Sequence, residues 1–268
     1  MTTRLTPEQI ERYSRQIMIP DFGGKGQIRL AQGKVLVIGA GGLGSAAAFY
    51  LAAAGTGTLG LIDADQVELS NLQRQILHTT EDLGRTKVQS AGEKLERLNP
   101  EVEVQTYPVR LTEENAGEIF GAYDFIVDGS DNFATKFLVN DAAVSLRKPF
   151  SHAGILRLHG QTMTVLPGKS ACYRCLFKEP PPPGEIPGCQ QAGILGAVAG
   201  TIGSIQATEA IKYLIGMEEE LLTGRLLHYD ARELKFRIVE FDRDPFCKAC
   251  ASIADQGLQP EPVFKGEL

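Results

Sequence analysis

The chain has 268 residues, of which 43% are hydrophobic and 22% charged, as in ordinary globular proteins. This length suits one large α/β domain or two smaller ones, and the net charge of −6 argues against general nucleic-acid binding. The polar N-terminus and the shortness of the uncharged stretch 192–205 argue against a signal peptide and a membrane span, so we expect a cytoplasmic location.

The N-terminal segment 6–19 has the pattern of an amphipathic helix that carries Arg12 and Arg15 beside Tyr13. From the pattern alone, both arginines read as mobile surface side chains. A glycine-rich turn at 22–26 and a short helix then lead into the first predicted strand.

Residues 34–65 predict a strand, a tight glycine turn, a helix, a second strand and an acid. Gly39, Gly41 and Gly44 form G-x-G-x-x-G directly after the apolar run 34–38, and an alanine-rich helix follows over 46–54. Asp63 follows the next apolar run, 59–62, at the spacing expected of an acid that binds a ribose. The pattern predicts a nucleotide site, since a merely buried βαβ unit would leave Asp63 unexplained.

The segment after this acid is richer in polar groups than a plain dehydrogenase needs. Residues 70–75 read SNLQRQ, in which Ser70, Asn71 and Arg74 supply hydroxyl, amide and guanidinium groups. Lys87 begins a predicted helix that ends at Asn99-Pro100, and its apolar face is Val88, Ala91, Leu95 and Leu98. A lysine in a first turn opposes the helix dipole and therefore indicates an anionic partner, but for Lys87 taken alone a solvated surface charge is the favoured interpretation.

Another apolar strand, 123–127, ends in Asp128-Gly129-Ser130-Asp131-Asn132. Ligands of open α/β sheets bind beyond the carboxyl ends of the strands, and carboxylates beside a phosphate suit Mg²⁺. Asp131 is therefore either a magnesium ligand or the N-cap of the next helix, 133–146. Both readings stay open from the pattern.

From residue 150 the predicted strands are shorter, at 150–155, 160–167, 226–230 and 235–241. They form either the continuation of one mixed sheet or a small second lobe. The histidines lack cysteine or acid neighbours at ligand spacing, so structural roles are expected; they are His78, His152, His159 and His228.

Two C-x-x-C pairs lie far apart in the chain, Cys172 with Cys175 and Cys247 with Cys250. Four thiolates make a closed tetrahedral Zn²⁺ site without an open position, which predicts a structural role; an iron–sulfur cluster or a redox pair is the alternative. Cys189 follows a proline-rich loop and precedes a predicted helix, whose N-terminus would favour the thiolate. The alternative for Cys189 is a free cysteine that only packs.

Together these motifs resemble the E1-like activating enzymes, the MoeB, ThiF and HesA proteins related to ubiquitin-activating enzymes. The residues that carry the resemblance are GAGGLG, the acid Asp63, SNLQRQ, Lys87, DGSDN, the two C-x-x-C pairs and GCQQAGILG, over about residues 5–250. CYRCLF followed by EPPPPG is most similar to the MoeB branch, and no rhodanese-like extension follows in this sequence. The resemblance implies one adenylation domain over 1–268, with a nucleotide-binding half at about 30–148 and a carrier-binding and zinc half at about 149–252.

The resemblance also implies a reaction and its residues. ATP adenylates the C-terminal glycine of a ubiquitin-like sulfur carrier of the MoaD or ThiS type, and sulfur then displaces AMP to give a thiocarboxylate. Arg74, Lys87 and Mg²⁺ on Asp131 would neutralise charge, and Asp63 would hold the ribose. The nucleotide-contacting set it implies also includes Gly39, Gly41, Gly42, Gly44, Ser70, Asn71 and Asn132. Arg15 would reach the triphosphate from the partner of a homodimer.

Other expectations remain beside these. Cys189 is a candidate for a covalent acyl or persulfide link, and a sulfurtransferase or cysteine desulfurase is a candidate partner. Molybdopterin, thiamine, tRNA-thiolation and cysteine pathways all suit the pattern. An NAD-dependent oxidoreductase shares G-x-G-x-x-G plus acid, and a non-catalytic scaffold that binds a ubiquitin-like protein would share the fold. The first has no evident use for Arg74, Lys87 and Asp131, and the second has no need of them.

Overall fold

The computed structural model describes residues 4–182 and 192–253, and this part of the chain is built around one eight-stranded sheet. The apolar runs predicted as strands form its centre, because such runs suit strands covered on both faces. The strands are β1 Lys34–Ile38, β2 Thr58–Ile62, β3 Glu103–Tyr107, β4 Phe125–Asp128, β5 Phe150–Leu156, β6 His159–Val165, β7 Arg225–Asp230 and β8 Lys235–Glu240.

The helices lie between and around these strands. They are α1 Pro7–Arg12, α2 Ser14–Ile17, α3 Gly23–Gln32, α4 Gly42–Ala54, α5 Lys87–Leu98, α6 Glu113–Gly121, α7 Phe133–Ser145, α8 Tyr173–Leu176 and α9 Gly196–Ile215. None of the helices in the described ranges is both long and apolar enough to cross a membrane.

The strand order is β3-β2-β1-β4-β5-β6-β7-β8. The first five strands of this order are parallel, and β5 to β8 pair antiparallel. The later strands therefore continue one mixed sheet, and the second-lobe alternative is wrong. The chain places β2 and β3 in succession on one side of β1 and then crosses from β3 to β4 on the other side, so the carboxyl ends of β1 and β4 mark the topological switch point.

The two faces of the sheet are covered by different helices. Alanine and leucine side chains of α4, α5 and α9 pack on β1, β2 and β4 from one face. Helices α6 and α7, together with the cysteine pairs, cover the other face. Helix α9 approaches α4 so closely that a Cβ added to Gly203 would lie 2.3 Å from the Leu43 carbonyl oxygen.

Two local predictions are corrected. Segment 6–19 forms two short helices, because Tyr13 is buried between them and its hydroxyl bonds Asn99 and Glu101 at 2.8 and 3.0 Å. Leu98, expected on the apolar face of α5, is 40% exposed, because α5 ends there and the chain turns at Asn99.

Candidate functional site

The site is a cavity of about 790 Å³ at the carboxyl ends of β1 and β4, the switch point of the sheet. It extends from the glycine turn after β1 across β4 and β5 to β6 and β7. Its lining includes eight predicted nucleotide residues, Gly39, Gly41, Gly42, Asp63, Arg74, Lys87, Asp131 and Asn132. Gly44, Ser70, Asn71 and Arg15 do not line it.

The glycine turn leaves the start of α4 free for an anion. The N-cap is Gly41, which has no side chain to accept the first N–H groups of the helix. Gly39 has a φ of +87°, and a Cβ on Gly44 would lie 1.8 Å from the Gly39 carbonyl oxygen. Gly44 therefore contributes by allowing close packing of helix on strand, and it does not face the cavity.

Asp63 lies at the end of β2 with both carboxylate oxygens bound by backbone amides. Oδ2 accepts from Ala40 N and Oδ1 from Asp65 N, each at 2.8 Å. Burial raises the pKa of Asp63, and the ammonium of Lys87, 3.9 Å away, opposes that shift. These bonds fix a carboxylate toward the cavity, where its remaining lone pairs suit ribose hydroxyl groups.

Lys87 is buried, and the reading of a solvated surface charge is wrong. Its Nζ lies 2.8 Å from Asp65 Oδ2, and its side chain is 8% exposed. The predicted anionic partner is therefore confirmed, in the form of Asp65 with Asp63 behind it. The ammonium faces the cavity between these acids, where it can also meet a phosphate.

Arg74 reaches the cavity from the segment 70–75. Its Nη1 donates to the Ser70 carbonyl oxygen at 2.9 Å, and Asn71 is buried with its Oδ1 accepting from Glu68 N at 3.2 Å. Ser70 and Asn71 thus shape the turn that carries Arg74. Helix α9 supports the same turn, since a Cβ on Gly196 would lie 2.5 Å from the Gln73 carbonyl oxygen.

Asp131 is exposed at the cavity, and the alternative that it caps α7 is wrong. The N-cap is Asn132, whose Oδ1 accepts from Thr135 N at 2.9 Å. Because Asn132 occupies the N-cap position, the Asp131 carboxylate is not used to cap α7. Its hard oxygen atoms line the same cavity as the start of α4 and suit a Mg²⁺ that shares phosphate ligands.

A buried cluster beside Asp131 was missed in the sequence. Asp128, the last residue of β4, contacts His152 Nδ1 at 3.1 Å and Lys136 Nζ at 3.5 Å, and it accepts from Ser130 Oγ at 2.5 Å. Burial acts to raise the pKa of Asp128, but Lys136, His152 and Ser130 outweigh it and lower that pKa to about 2. Burial and the Lys136 charge lower the pKa of His152 to about 4. The only signal in the sequence was the position of Asp128 at a strand end.

Three of the four histidines, all expected to have structural roles, line the cavity. His152 lies near Asp128, and His159 and His228 stack with ring centroids 5.6 Å apart on β6 and β7. His78 is structural as expected, since its nitrogen atoms contact Ser90 Oγ at 2.9 Å and the Ala40 carbonyl oxygen at 3.0 Å.

Arg15 lies on α2 and is exposed, outside this chain's own cavity. Cys189 falls in 183–191, outside the described residues. Both remain predictions.

The two C-x-x-C pairs come together as predicted. The four sulfur atoms lie within 4.8 Å of one another, with Cys172 to Cys247 at 3.6 Å and Cys175 to Cys250 at 3.5 Å. A tetrahedron with Zn–S bonds of about 2.3 Å has sulfur separations of about 3.8 Å, so the cluster fits zinc.

This cluster is attached to α7 by polar contacts. Arg174 makes two bonds of 2.7 Å to the Asp141 carboxylate, and Tyr173 N donates to Asn140 Oδ1 at 2.9 Å. The Tyr173 ring then packs on His152 with centroids 4.2 Å apart. The cysteine cluster therefore supports one wall of the cavity.

Comparison with known proteins finds relatives that cover most of the chain. A sulfur carrier protein adenylyltransferase of Thermus thermophilus is 49% identical over 265 residues, covering 97% of this chain and 96% of the relative. A probable adenylyltransferase/sulfurtransferase MoeZ of Mycobacterium tuberculosis is 46% identical over 281 residues, covering 98% and 71%. The crystal structure of E. coli MccB with MccA-N7isoASN matches with a TM-score of 0.80 over 90% of this chain and 74% of that one; at 24% identity it supports the fold alone.

The family model described as ThiF family matches residues 13–249, which span the glycine turn, the cavity and three of the four clustered cysteines, with Cys250 one residue beyond the match. The resemblance inferred from the motifs is therefore confirmed. The chain belongs to the ThiF family.

Proposed function

We propose that this chain uses ATP to adenylate the C-terminal glycine carboxylate of a ubiquitin-like sulfur-carrier protein. The observation that carries the proposal is the composition of one cavity. An anion-binding helix start, the ribose acid Asp63, the cations Arg74 and Lys87 and the free carboxylate Asp131 all line it. The name of the relative from Thermus thermophilus supports the same activity.

Each group has a role in that reaction. The amides at the start of α4 bind the α-phosphate, and Asp63 binds the ribose hydroxyl groups. Arg74 and Lys87 bind the negative charge of the triphosphate, with Ser70 and Asn71 holding the turn of Arg74. Asp131 holds a Mg²⁺, which supplies further positive charge at the phosphates when it is bound.

The chemistry requires little from acid or base groups. A glycine carboxylate is already ionised near neutral pH, so its oxygen attacks the α-phosphorus without losing a proton. The bond from that phosphorus to the β-phosphate oxygen breaks, and pyrophosphate leaves. Two anions must approach each other, so we expect positioning and charge neutralisation to supply the rate enhancement.

Several finer points belong to the same proposal. The four clustered cysteines hold a structural Zn²⁺ that fixes the wall containing Tyr173. The protein acts as a homodimer in which Arg15 of each protomer reaches the other's triphosphate. Cys189 serves a later sulfur-transfer step, for which a sulfurtransferase or cysteine desulfurase supplies the sulfur. A cytoplasmic location stays a prediction.

The test compares two nucleotides with one carrier. The protein is incubated with Mg²⁺ and a recombinant sulfur carrier ending in Gly-Gly, and either ATP or NAD is added. We expect pyrophosphate release and an AMP adduct on the carrier with ATP, detected by intact-protein mass spectrometry. Reduction of NAD would contradict adenylation and support an oxidoreductase. Carrier binding without either reaction would support a scaffold.

A further inference from the structure

The Nε2 atom of His152 is buried and has no hydrogen-bond partner in residues 4–182 and 192–253. The other ring nitrogen, Nδ1, lies 3.1 Å from Asp128 Oδ2. An ionised Asp128 accepts the Nδ1 proton, which leaves Nε2 of the neutral ring as an acceptor. A buried acceptor without a donor is costly, so its persistence in a cavity wall indicates a ligand that supplies an N–H or O–H group.

The imidazole ring is held firmly in this orientation. Tyr173 packs on it with ring centroids 4.2 Å apart, and both residues are almost fully buried. Lys136 Nζ balances the Asp128 charge and donates to the Ser130 carbonyl oxygen at 2.7 Å and to that of Ala153. The direction of the Nε2 lone pair is thus set before any ligand binds.

The position of His152 in the sheet indicates which of the two reactants supplies this donor. His152 on β5 pairs in register with Asp128 of β4, while Asp63 stands at the end of β2. The order β2-β1-β4-β5 separates these strands by three spacings, about 14 Å. With the ribose at β2 and the α-phosphate at the start of α4, the β5 side of the cavity is left for the other reactant.

That reactant is an extended peptide segment that ends in a carboxylate. β5 continues past the end of β4, from His152 to Leu156, so the cavity has a floor formed by β5 and β6. Gly154 and Gln161 lie on this floor, directly opposite each other. A carboxylate contains only acceptors and does not satisfy Nε2, whereas the peptide N–H groups just before it do.

We infer that His152 Nε2 accepts a hydrogen bond from a backbone N–H within the last residues of the carrier, and thereby fixes the register of its terminal carboxylate against the α-phosphate. This inference rests on the proposed adenylation. It assigns to His152 a substrate-binding role that depends on Asp128, Lys136 and Tyr173 for its geometry.

Two substitutions at position 152 distinguish the contributions of the two ring nitrogen atoms. In His152→Asn, the amide nitrogen replaces Nδ1 beside Asp128, and the Nε2 acceptor is lost. In His152→Gln, the amide oxygen restores an acceptor near the Nε2 position. We expect His152→Asn to raise the KM for the carrier about tenfold and His152→Gln to restore most of that loss, with the KM for ATP unchanged in both. Thermal unfolding and zinc content verify that each variant is folded.

A second arm changes the substrate, and it is run on both the wild type and His152→Asn. A synthetic peptide that copies the carrier's last residues competes with the carrier in pyrophosphate exchange, and esters replace its last two N–H groups one at a time. We expect one ester to weaken competition several-fold in the wild type and to have no further effect in His152→Asn. Equal competition by all three peptides in the wild type, or an equal ester effect in both proteins, would overturn the His152 assignment. Absence of carrier-dependent exchange in the wild type would instead overturn adenylation itself.

Discussion

Lys87 and Asp131 show how neighbouring residues decide what a charged side chain is available to do. Lys87 is buried against Asp65 and Asp63, so its charge is held at the cavity. Asn132 serves as the N-cap of α7 in place of Asp131, and Asp131 remains exposed at the cavity. The first group is preorganised by the fold, whereas the second is available to a metal ion.

These two environments predict different results on substitution. Asp131→Asn should abolish pyrophosphate exchange without lowering the melting temperature, because it removes a metal ligand and no core contact. Arg74→Ala and Lys87→Ala should each reduce exchange about 10²-fold, as loss of a preorganised charge does. Glu118→Gln, an exposed charge removal on α6, is the matched control and should change neither quantity. Near wild-type exchange in Asp131→Asn would refute the magnesium assignment.

The buried histidines predict how stability depends on pH. Burial lowers the pKa of both His78 and His152, to about 4 for His152, from the ordinary value of 6.5. Between these values the unfolded chain binds protons that the folded chain does not, so stability should fall as pH drops from about 6.5 to about 4. Urea unfolding at several pH values measures this slope. His152→Asn should show a shallower decline than the wild type, and equal slopes would contradict a neutral His152.

At the level of elements, the cysteine cluster is bonded to α7, and the two form one structural unit beside the cavity. Cys172 precedes Tyr173 and Arg174, which bond to Asn140 and Asp141 of α7. Tyr173 then contacts His152 in the cavity. Cys172 is thus connected to the cavity wall through Tyr173, and to α7 through Tyr173 and Arg174.

Loss of the metal should therefore affect the protein as a whole. Cys175→Ser should remove zinc and lower the melting temperature markedly, because structural zinc contributes directly to folding. Cys189→Ala should keep zinc and pyrophosphate exchange, and should lose only thiocarboxylate formation. Metal analysis, calorimetry and both assays on the same samples check this. A Cys175→Ser protein that retains zinc and full stability would rule out the four-cysteine site.

The elements of the central sheet could be predicted from short apolar runs, and the nucleotide site from glycine spacing and Asp63. Both signals are local, because each depends on residues close together in the chain. The Asp128 and His152 contact depends instead on the register between β4 and β5, which no local pattern specifies. Tyr13 shows the same limit, since the contacts with Asn99 and Glu101 that bury it are distant in sequence.

At the scale of the molecule, the proposed reaction places two reactants on one sheet. Asp63, the proposed ribose acid, lies at the end of β2, the glycine turn follows β1 and Asp131 lies just after β4, while β5 to β7 extend the same cavity by a further three strands. This arrangement suits a nucleotide on one side of the cavity and an extended second substrate on the other, with the terminus of the second substrate next to the phosphates. Arg15 is exposed on α2 and lies away from the cavity of its own chain. Among the predicted site residues in the described ranges, it is the one whose expected role requires a second protomer.

Subunit mixing tests whether Arg15 acts across a dimer. If it does, mixing Arg15→Ala with Asp131→Asn protomers should restore activity, because half of the dimers then contain one intact site, about a quarter of the wild-type sites. Mixing Lys87→Ala with Asp131→Asn is the control and should restore none, since both residues belong to the same cavity. No recovery in the first mixture, with subunit exchange demonstrated by mass spectrometry, would count against a role in trans.

The central claim, carrier adenylation, is tested most directly by exchange of labelled pyrophosphate into ATP. The assay compares an intact sulfur carrier with the same carrier lacking its two C-terminal glycines, in the presence and absence of Mg²⁺. We predict exchange only with the intact carrier and Mg²⁺, because the glycine carboxylate is the attacking group. Exchange that is equally fast with the truncated carrier, or absent with the intact carrier in folded, zinc-containing protein, would contradict the account.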